Sequence, residues 1–327
     1  MPIIQVDSLK KYYKVVQKEP GLLGSFKSLF ARKYKEVRAV DDISFKIQEG
    51  ELIGFIGPNG AGKTTTLKCL SGLLYPTAGK VNVLESMPSE RKNKFLKQIA
   101  LVMGQKNQLW WDLPAMETFI LNKEIYEIED KIFNDTINKL INLLEMKNLI
   151  NIPVRRLSLG ERMKAEFIAA IIHSPKVIFL DEPTIGLDVV MQKKIREFIR
   201  EYNKQYNATI ILTSHYMDDV KELCKRIIII DKGKIIYDGL LTDVVKKYAD
   251  HKTISVIFDK YVDPKELEKI GKVKTIQLPR VVFLVKREQV NLAAAELLQN
   301  FPIADLNIEE PEIEDVIREV FTGEDVA

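Results

Sequence analysis

Apolar positions along this chain keep two rhythms, one with a period of two and one close to 3.6. Ile43, Phe45 and Ile47 alternate with polar neighbours, which predicts a half-buried strand, and Ile3–Val6 predicts another before it. Leu52–Gly57, Val177–Leu180 and Thr209–Thr213 are short apolar runs bounded by turn residues, as strands buried on both faces are. Between them the period turns helical. Lys63–Leu74 closes at Pro76, and Glu161–His173 stops at Pro175. Asp130–Lys147 places Ile132, Phe133, Ile137, Leu140, Ile141 and Leu144 on one face, and a further helix spans Gln192–Tyr206. Strands alternating with helices predict an α/β domain built on a parallel sheet with helices on both faces. Ile227–Ile230, Gly233 and Ile235–Tyr237 read as a hairpin that finishes it.

After Val245 the order changes. Strands are predicted at Thr253–Phe258, Val273–Leu278, Val281–Val285 and Ala304–Ile308, with helices at Pro264–Ile270, Asn291–Asn300 and Ile313–Phe321. That βαββαβ sequence predicts a small α+β, ferredoxin-like domain. The expected division is therefore residues 1–245 and 246–327. One segment interrupts the first domain. Within 20–36, Leu22, Leu23, Phe26, Leu29 and Phe30 recur at helical spacing and basic residues follow. Three readings stay open for this insert: packing on its own domain, contact with a membrane partner, or lying on a lipid surface.

Composition narrows the classes. The net charge is only +3, which gives no argument for nucleic acid, although Lys10–Arg38 carries nine Lys/Arg against two Glu. Phe301–Ala327 is the acidic counterpart, with nine Asp/Glu against one Arg. Two distant cysteines, Cys69 and Cys224, lack metal-ligand spacing and read as reduced thiols. No apolar run approaches the ~18 residues of a membrane span, and the N-terminus shows no signal-peptide pattern. A cytoplasmic location is expected, with any membrane role requiring another chain.

The chemistry is concentrated in four places. Gly57-Pro58-Asn59-Gly60-Ala61-Gly62-Lys63-Thr64-Thr65 fits G-x-x-x-x-G-K-[ST] between a strand and a helix. Its glycines admit backbone N–H groups to phosphates, Lys63 reaches the terminal ones, and the Thr64 hydroxyl suits a Mg²⁺ shell. Asp181 and Glu182 end an apolar strand, where unpaired carboxylates are costly unless they work, as metal ligand and general base respectively. His215 ends the next strand within Thr213-Ser214-His215. Leu157-Ser158-Leu159-Gly160-Glu161 breaks the chain roughly twenty residues before the acidic strand and opens a helix.

An L-S-x-G-[QE] element placed between a phosphate loop and an acidic strand resembles the ATP-binding cassette (ABC) transporter ATPases. Trp110-Trp111-Asp112-Leu113-Pro114, Asp181–Asp188, Thr213–Asp219 and Glu310–Val316 are more similar to the ABC-A-like branch, which has separate exporter-type permeases. The resemblance implies a P-loop ABC ATPase fold with a helical subdomain, binding ATP and Mg²⁺. It implies that Gln105 reaches metal and water, that His215 contacts the γ-phosphate, and that Asp188 belongs to the D-loop. It also makes Tyr13 the adenine-stacking aromatic, with Tyr12 as rival.

In that family the signature serves ATP held by a second subunit, here a second copy or a paralogous ATPase. Leu159 and Glu161 depart from the common L-S-G-G-Q wording, which leaves open an altered loop packing, a negative charge near nucleotide, or an inactive site. Trp110 and Trp111 either anchor a permease helix or pack the helical subdomain. The implied function is the ATPase of an exporter, peripheral to the cytoplasmic face of the membrane through its permease. Two alternatives remain, a membrane sensing complex and a soluble ABC ATPase acting on ribosome or DNA. The latter normally carries two cassettes or long coiled-coil arms, and neither is seen.

Overall fold

The computed structural model describes residues 2–17, 33–104, 107–248, 251–263, 267, 272–310 and 316–317. The chain divides into two compact units, 1–239 and 240–327. In the first, β1 (Ile4–Gln17), β2 (Lys33–Ile47) and β4 (Ala78–Val83) form a sheet in the order β2-β1-β4, with both pairings antiparallel. β1 and β2 are longer than their apolar cores predict. Beyond Leu9 their pairing continues as a ribbon to Gln17 and Lys33, with Val15, Tyr34 and Val37 exposed. Residues 33–36 of the sequence-read insert thus belong to β2, and 20–32 lie outside the described residues.

The second sheet has six strands in the order β5-β6-β7-β3-β8-β9. These are β3 (Leu52–Ile56), β5 (Ile99–Met103), β6 (Val177–Asp181), β7 (Thr209–Thr213), β8 (Arg226–Asp231) and β9 (Lys234–Leu240). The β3/β7, β3/β8, β5/β6 and β6/β7 pairings are parallel. Phe55, Phe179, Ile211 and Ile228 are fully buried, as continuous apolar strands covered on both faces should be. Ile4, Leu9 and Ile43 of the antiparallel sheet share one core with Phe55 and Leu67. That packing holds the first strands against the phosphate-loop helix.

The helices are α1 (Lys63–Leu70), α2 (Asn93–Leu96), α3 (Ala115–Tyr126), α4 (Asp130–Leu143), α5 (Leu159–Ile171), α6 (Val189–Tyr206) and α7 (Met217–Leu223). α4 ends before the predicted Lys147, because Glu145 adopts a left-handed φ of 55° and Met146 N–H turns back to Ile141 O. α5 begins two residues earlier than predicted, since Ser158 and Glu161 cap it reciprocally.

The second unit begins with α8 (Leu241–Tyr248), followed by β10 (His251–Phe258), β11 (Lys272–Gln277), β12 (Arg280–Lys286), α9 (Val290–Asn300) and β13 (Ile303–Glu309). Its sheet is antiparallel throughout, in the ferredoxin-like order β11-β12-β10-β13. Ile254, Val256 and Phe283 pack against Ala293, Ala294 and Leu297 of α9. Most of the predicted helices Pro264–Ile270 and Ile313–Phe321 lies outside the described residues; Leu267, Val316 and Ile317 are described, helical and buried. No helix among the described residues is long and apolar enough to cross a membrane.

Candidate active site

The phosphate loop is shaped by close approach of backbone. A Cβ on Gly57 would stand 2.2 Å from Ile230 O, and one on Gly62, where φ is 110°, would stand 2.3 Å from Ala39 O. Only glycine fits there. α1 then starts with its first N–H groups aimed into the loop, a ready anion cradle. Lys63 is almost fully buried, and its ammonium donates to Gly57 O at 2.7 Å and Pro58 O at 3.1 Å. Burial lowers its pKa below the ordinary lysine value, while the Glu182 and Asp181 carboxylates oppose the shift.

Three motifs meet at Asp181. Thr64 Oγ1 donates to it, 3.0 Å from Oδ1 and 2.9 Å from Oδ2, and Thr213 Oγ1 donates to Oδ1 at 2.8 Å. The neighbouring Glu182 is half-buried and has φ 54°, a left-handed conformation that costs a non-glycine residue about 1–3 kcal/mol. The turn is held from two sides. Glu182 N–H donates to Thr213 O, and Gly104 lies so close that a Cβ there would stand 2.0 Å from Glu182 O. His215 Nε2 donates to Glu182 Oε1 at 2.7 Å. Lys63, Thr64, Asp181, Glu182 and His215 are therefore one cluster. Gln105 lies outside the described residues.

The signature segment is built differently. Ser158 caps α5: its N–H and hydroxyl both donate to Glu161 Oε2, at 2.8 and 2.9 Å, and Glu161 N–H donates back to Ser158 Oγ at 3.3 Å. The Glu161 carboxylate, read from the sequence as a charge near nucleotide, is turned onto its own helix cap. The Ser158-x-x-Glu161 spacing is itself the signal for this arrangement. Leu159 leans on Gly186, and a Cβ on Gly160 would meet the Met191 side chain at 2.7 Å. The signature thus touches the loop before α6, where Asp188 caps Met191 N–H at 2.9 Å. Leu159, Val189 and Val190 stay exposed at 39%, 77% and 67%.

Trp110 and Trp111 are half exposed, whereas Leu109 is buried and does the packing. Their loop is tied to the turn before the signature: Arg155 N–H donates to Trp111 O at 2.9 Å and Val154 N–H to Leu113 O at 3.0 Å. The Arg162 guanidinium lies 5.5 Å from the Trp111 ring. Glu166 of α5 accepts from Gln108 N–H at 2.8 Å and Leu109 N–H at 3.2 Å. Burial raises the pKa of Glu166, and these two N–H donors oppose the shift. Tyr12 is engaged, its hydroxyl donating to Asp41 and its ring facing Arg38. Tyr13 points to the other side of the ribbon, with Lys11 Nζ 5.2 Å from its ring.

Sequence reasoning missed one group at this site. Asp219 of α7 is fully buried and bonded to Thr184, Ser214 and Arg196. It closes the Thr213–Asp219 phrase that carries part of the family resemblance, but nothing in that wording or in the apolar periodicity assigns it a role.

The comparisons agree with this geometry. Residues 40–185 match the family model for ABC transporters, and residues 250–309 match the model for the EvrA-like ABC transporter C-terminal domain. An ABC transporter ATP-binding protein of Methanocaldococcus jannaschii is 30% identical over 85% of this chain and 95% of its own length. The bacitracin transport ATP-binding protein BcrA of Bacillus licheniformis is 31% identical over 63% of this chain and 66% of that protein. A dimeric ATP-binding cassette solved in a post-hydrolysis state with ADP and Pi superposes with TM-score 0.60, at 21% identity. It covers 72% of this chain and 98% of the other. A phosphate loop, a carboxylate pair and a histidine assembled on this sheet, with a capped signature helix beside them, agree with those matches: the chain belongs to the ATP-binding subunits of ABC transporters, which are ATP-hydrolysing enzymes.

Proposed function

We propose that two copies of this chain close head to tail around two Mg-ATP and drive a separate exporter-type permease at the cytoplasmic face of a membrane. The observation that carries the reading is the state of Ser158. Its hydrogen bonds close on its own helix cap, while the phosphate loop, Asp181, Glu182 and His215 bond among themselves. A signature helix N-terminus with exposed Leu159, Val189 and Val190 beside it suits a facing subunit. The exporter assignment leans on the ABC-A-like wording of the motifs, and on a relative whose name specifies bacitracin transport.

In the assigned roles, the N–H groups of Gly60, Ala61, Gly62, Lys63, Thr64 and Thr65 cradle ATP phosphates, and Tyr13 stacks on adenine. Glu182 takes a proton from the attacking water, while His215 holds that carboxylate in line and faces the γ-phosphate. The Ser158 hydroxyl and the backbone N–H near Gly160 complete the partner's site. Thr64 Oγ1 and the Asp181 carboxylate converge within 3.0 Å, an oxygen donor set suited to Mg²⁺ completed by ATP oxygens. Bound there, the ion would neutralise phosphate charge; Gln105 is the expected further ligand. Trp110 and Trp111 meet the permease, and the backbone bonds from their loop to Val154 and Arg155 carry its motion to the signature.

Sedimentation of Glu182→Gln with Mg-ATP is the test. A dimer that forms with ATP, and is lost on adding Ser158→Ala, supports the shared site. A monomer under all nucleotide conditions would overturn it.

A further inference from the structure

Asp219 makes no hydrogen bond to the phosphate loop, yet its carboxylate is where three elements meet. Oδ2 accepts from the Thr184 hydroxyl at 2.5 Å and from the Ser214 hydroxyl at 2.6 Å. Oδ1 accepts from Arg196 Nη1 of α6 at 3.0 Å, and Arg196 Nε forms an ion pair with Glu222 at 3.1 Å. Thr184 lies two residues after Glu182, and Ser214 immediately precedes His215. The turn is closed further, since Tyr216 N–H donates to Ser214 Oγ and Asp219 N–H to Tyr216 O.

A salt bridge needed only to join α6 and α7 would be complete with Oδ1 and Arg196. The second oxygen is instead given to hydroxyls from the two loops that carry the base and the histidine. Both loops carry a group that must be held: Glu182 sits in a left-handed conformation, and His215, one-third exposed, is tied to Glu182 at 2.7 Å. A carboxylate whose two donors hang from these loops fixes their separation. Buried and charge-paired, it has no solvent to exchange with.

We propose that Asp219 is a positioning residue for hydrolysis, holding Thr184 and Ser214 on one oxygen so that His215 Nε2 and Glu182 Oε1 stay in register. The inference rests on the reading of Glu182 as base and His215 as its partner. It places the effect on turnover and leaves ATP affinity alone, because the contacts of Lys63 and Thr64 do not pass through Asp219.

The test is ATP hydrolysis by the full-length chain carrying Thr184→Val or Ser214→Ala, with Asp219→Asn beside them. The first two leave the Arg196–Asp219 pair whole, and urea unfolding of each variant checks that the chain still folds. Each should lower kcat about 10–100-fold, as small misplacements of reacting groups do, with KM for ATP within about 2-fold of wild type. Introduced into His215→Ala and followed in single turnover, the same changes should alter the rate by less than about 2-fold, since the register they protect is already gone. Equal fold-losses in both backgrounds, or a rise in KM at unchanged kcat, would overturn the proposal. His215→Ala with wild-type turnover would instead overturn the reading of the site on which it stands.

Discussion

The phosphate-loop cluster and the signature segment are both polar sites at the start of a helix, but they are finished in opposite ways. The first is walled by backbone. Gly57, Gly62 and Gly104 each face a carbonyl oxygen at 2.0–2.3 Å from where a Cβ would stand, and the side chains inside are bonded to one another. The second is bounded by side chains, Met191 against Gly160 and Leu159 against Gly186, and its polar atoms are closed in a capping box open to solvent. A site that must place a proton acceptor to a fraction of an ångström is built rigid. In the proposed dimer the signature meets another subunit and leaves it again, and a boundary of side chains that can yield suits that role.

Removing the proposed proton acceptor should have the largest effect. Glu182→Gln keeps the turn and the His215 contact but removes the basic oxygen, so kcat should fall about 10²–10⁴-fold with ATP binding retained. Phosphate release against nucleotide binding in the same preparation checks it. Turnover within a few-fold of wild type would remove Glu182 from the base role.

The contrast in walls is tested by a matched pair. Gly104→Ala forces a methyl group onto Glu182 O, with backbone on both sides, and should cost about 2–3 kcal/mol along with most of the turnover. Gly160→Ala meets only the flexible Met191 side chain and lies inside a helix, where alanine is favoured by up to about 1 kcal/mol. Its stability should change by less than about 1 kcal/mol. Urea unfolding of the two variants decides, and equal losses would mean that the two walls do not differ.

The far end of the signature helix offers a pH test that leaves the phosphate cluster untouched. His173 follows α5, stacks on Tyr126 with ring centroids 3.8 Å apart, and contacts Ile99 O through Nε2. Burial lowers its pKa from 6.5 to about 4. Between those values the unfolded chain binds a proton that the folded chain refuses, so stability rises with pH across the window. The contribution is complete above about pH 6.5 and is lost as pH falls toward about 4, with a slope of at most about 1.4 kcal/mol per unit. In His173→Gln the melting temperature should depend less steeply on pH between 4 and 6.5. Parallel curves for the two proteins would refute the assignment.

Sequence legibility follows the same division. Gly57–Thr65, Asp181-Glu182 and His215 were readable because each is a local pattern at the end of an apolar strand, and the parallel sheet places strand ends together. The Asp219 cluster was not, because its partners Thr184, Arg196 and Ser214 are brought together only by the packing of α6 and α7. Helix α3 was also missed: Ala115-Met116-Glu117-Thr118-Phe119-Ile120 keeps no clean apolar face for a period to register. The long β1–β2 ribbon was underread, since lysine and tyrosine carry its alternation once it leaves the core. The capping box was present in the letters of the signature, but the resemblance drew attention to Glu161 as a departure from glutamine and away from its spacing to Ser158.

That last point gives the smallest predicted effect and the sharpest use of the comparison. A glutamine at 161 still presents an oxygen to Ser158 N–H, so Glu161→Gln should keep the cap and shift stability by a few tenths of a kcal/mol. Glu161→Ala removes the returning acceptor and should cost about 0.5–1 kcal/mol. If the carboxylate serves the cap alone, ATPase rates should follow that order, with Glu161→Gln at the wild-type rate. A Glu161→Gln variant several-fold faster than wild type, at unchanged stability, would mean that the charge also brakes the closed site. Adding Leu159→Gly separates the remaining contribution. It removes the side chain resting on Gly186 at the first turn of α5, so any further change in rate belongs to the contact between signature and D-loop.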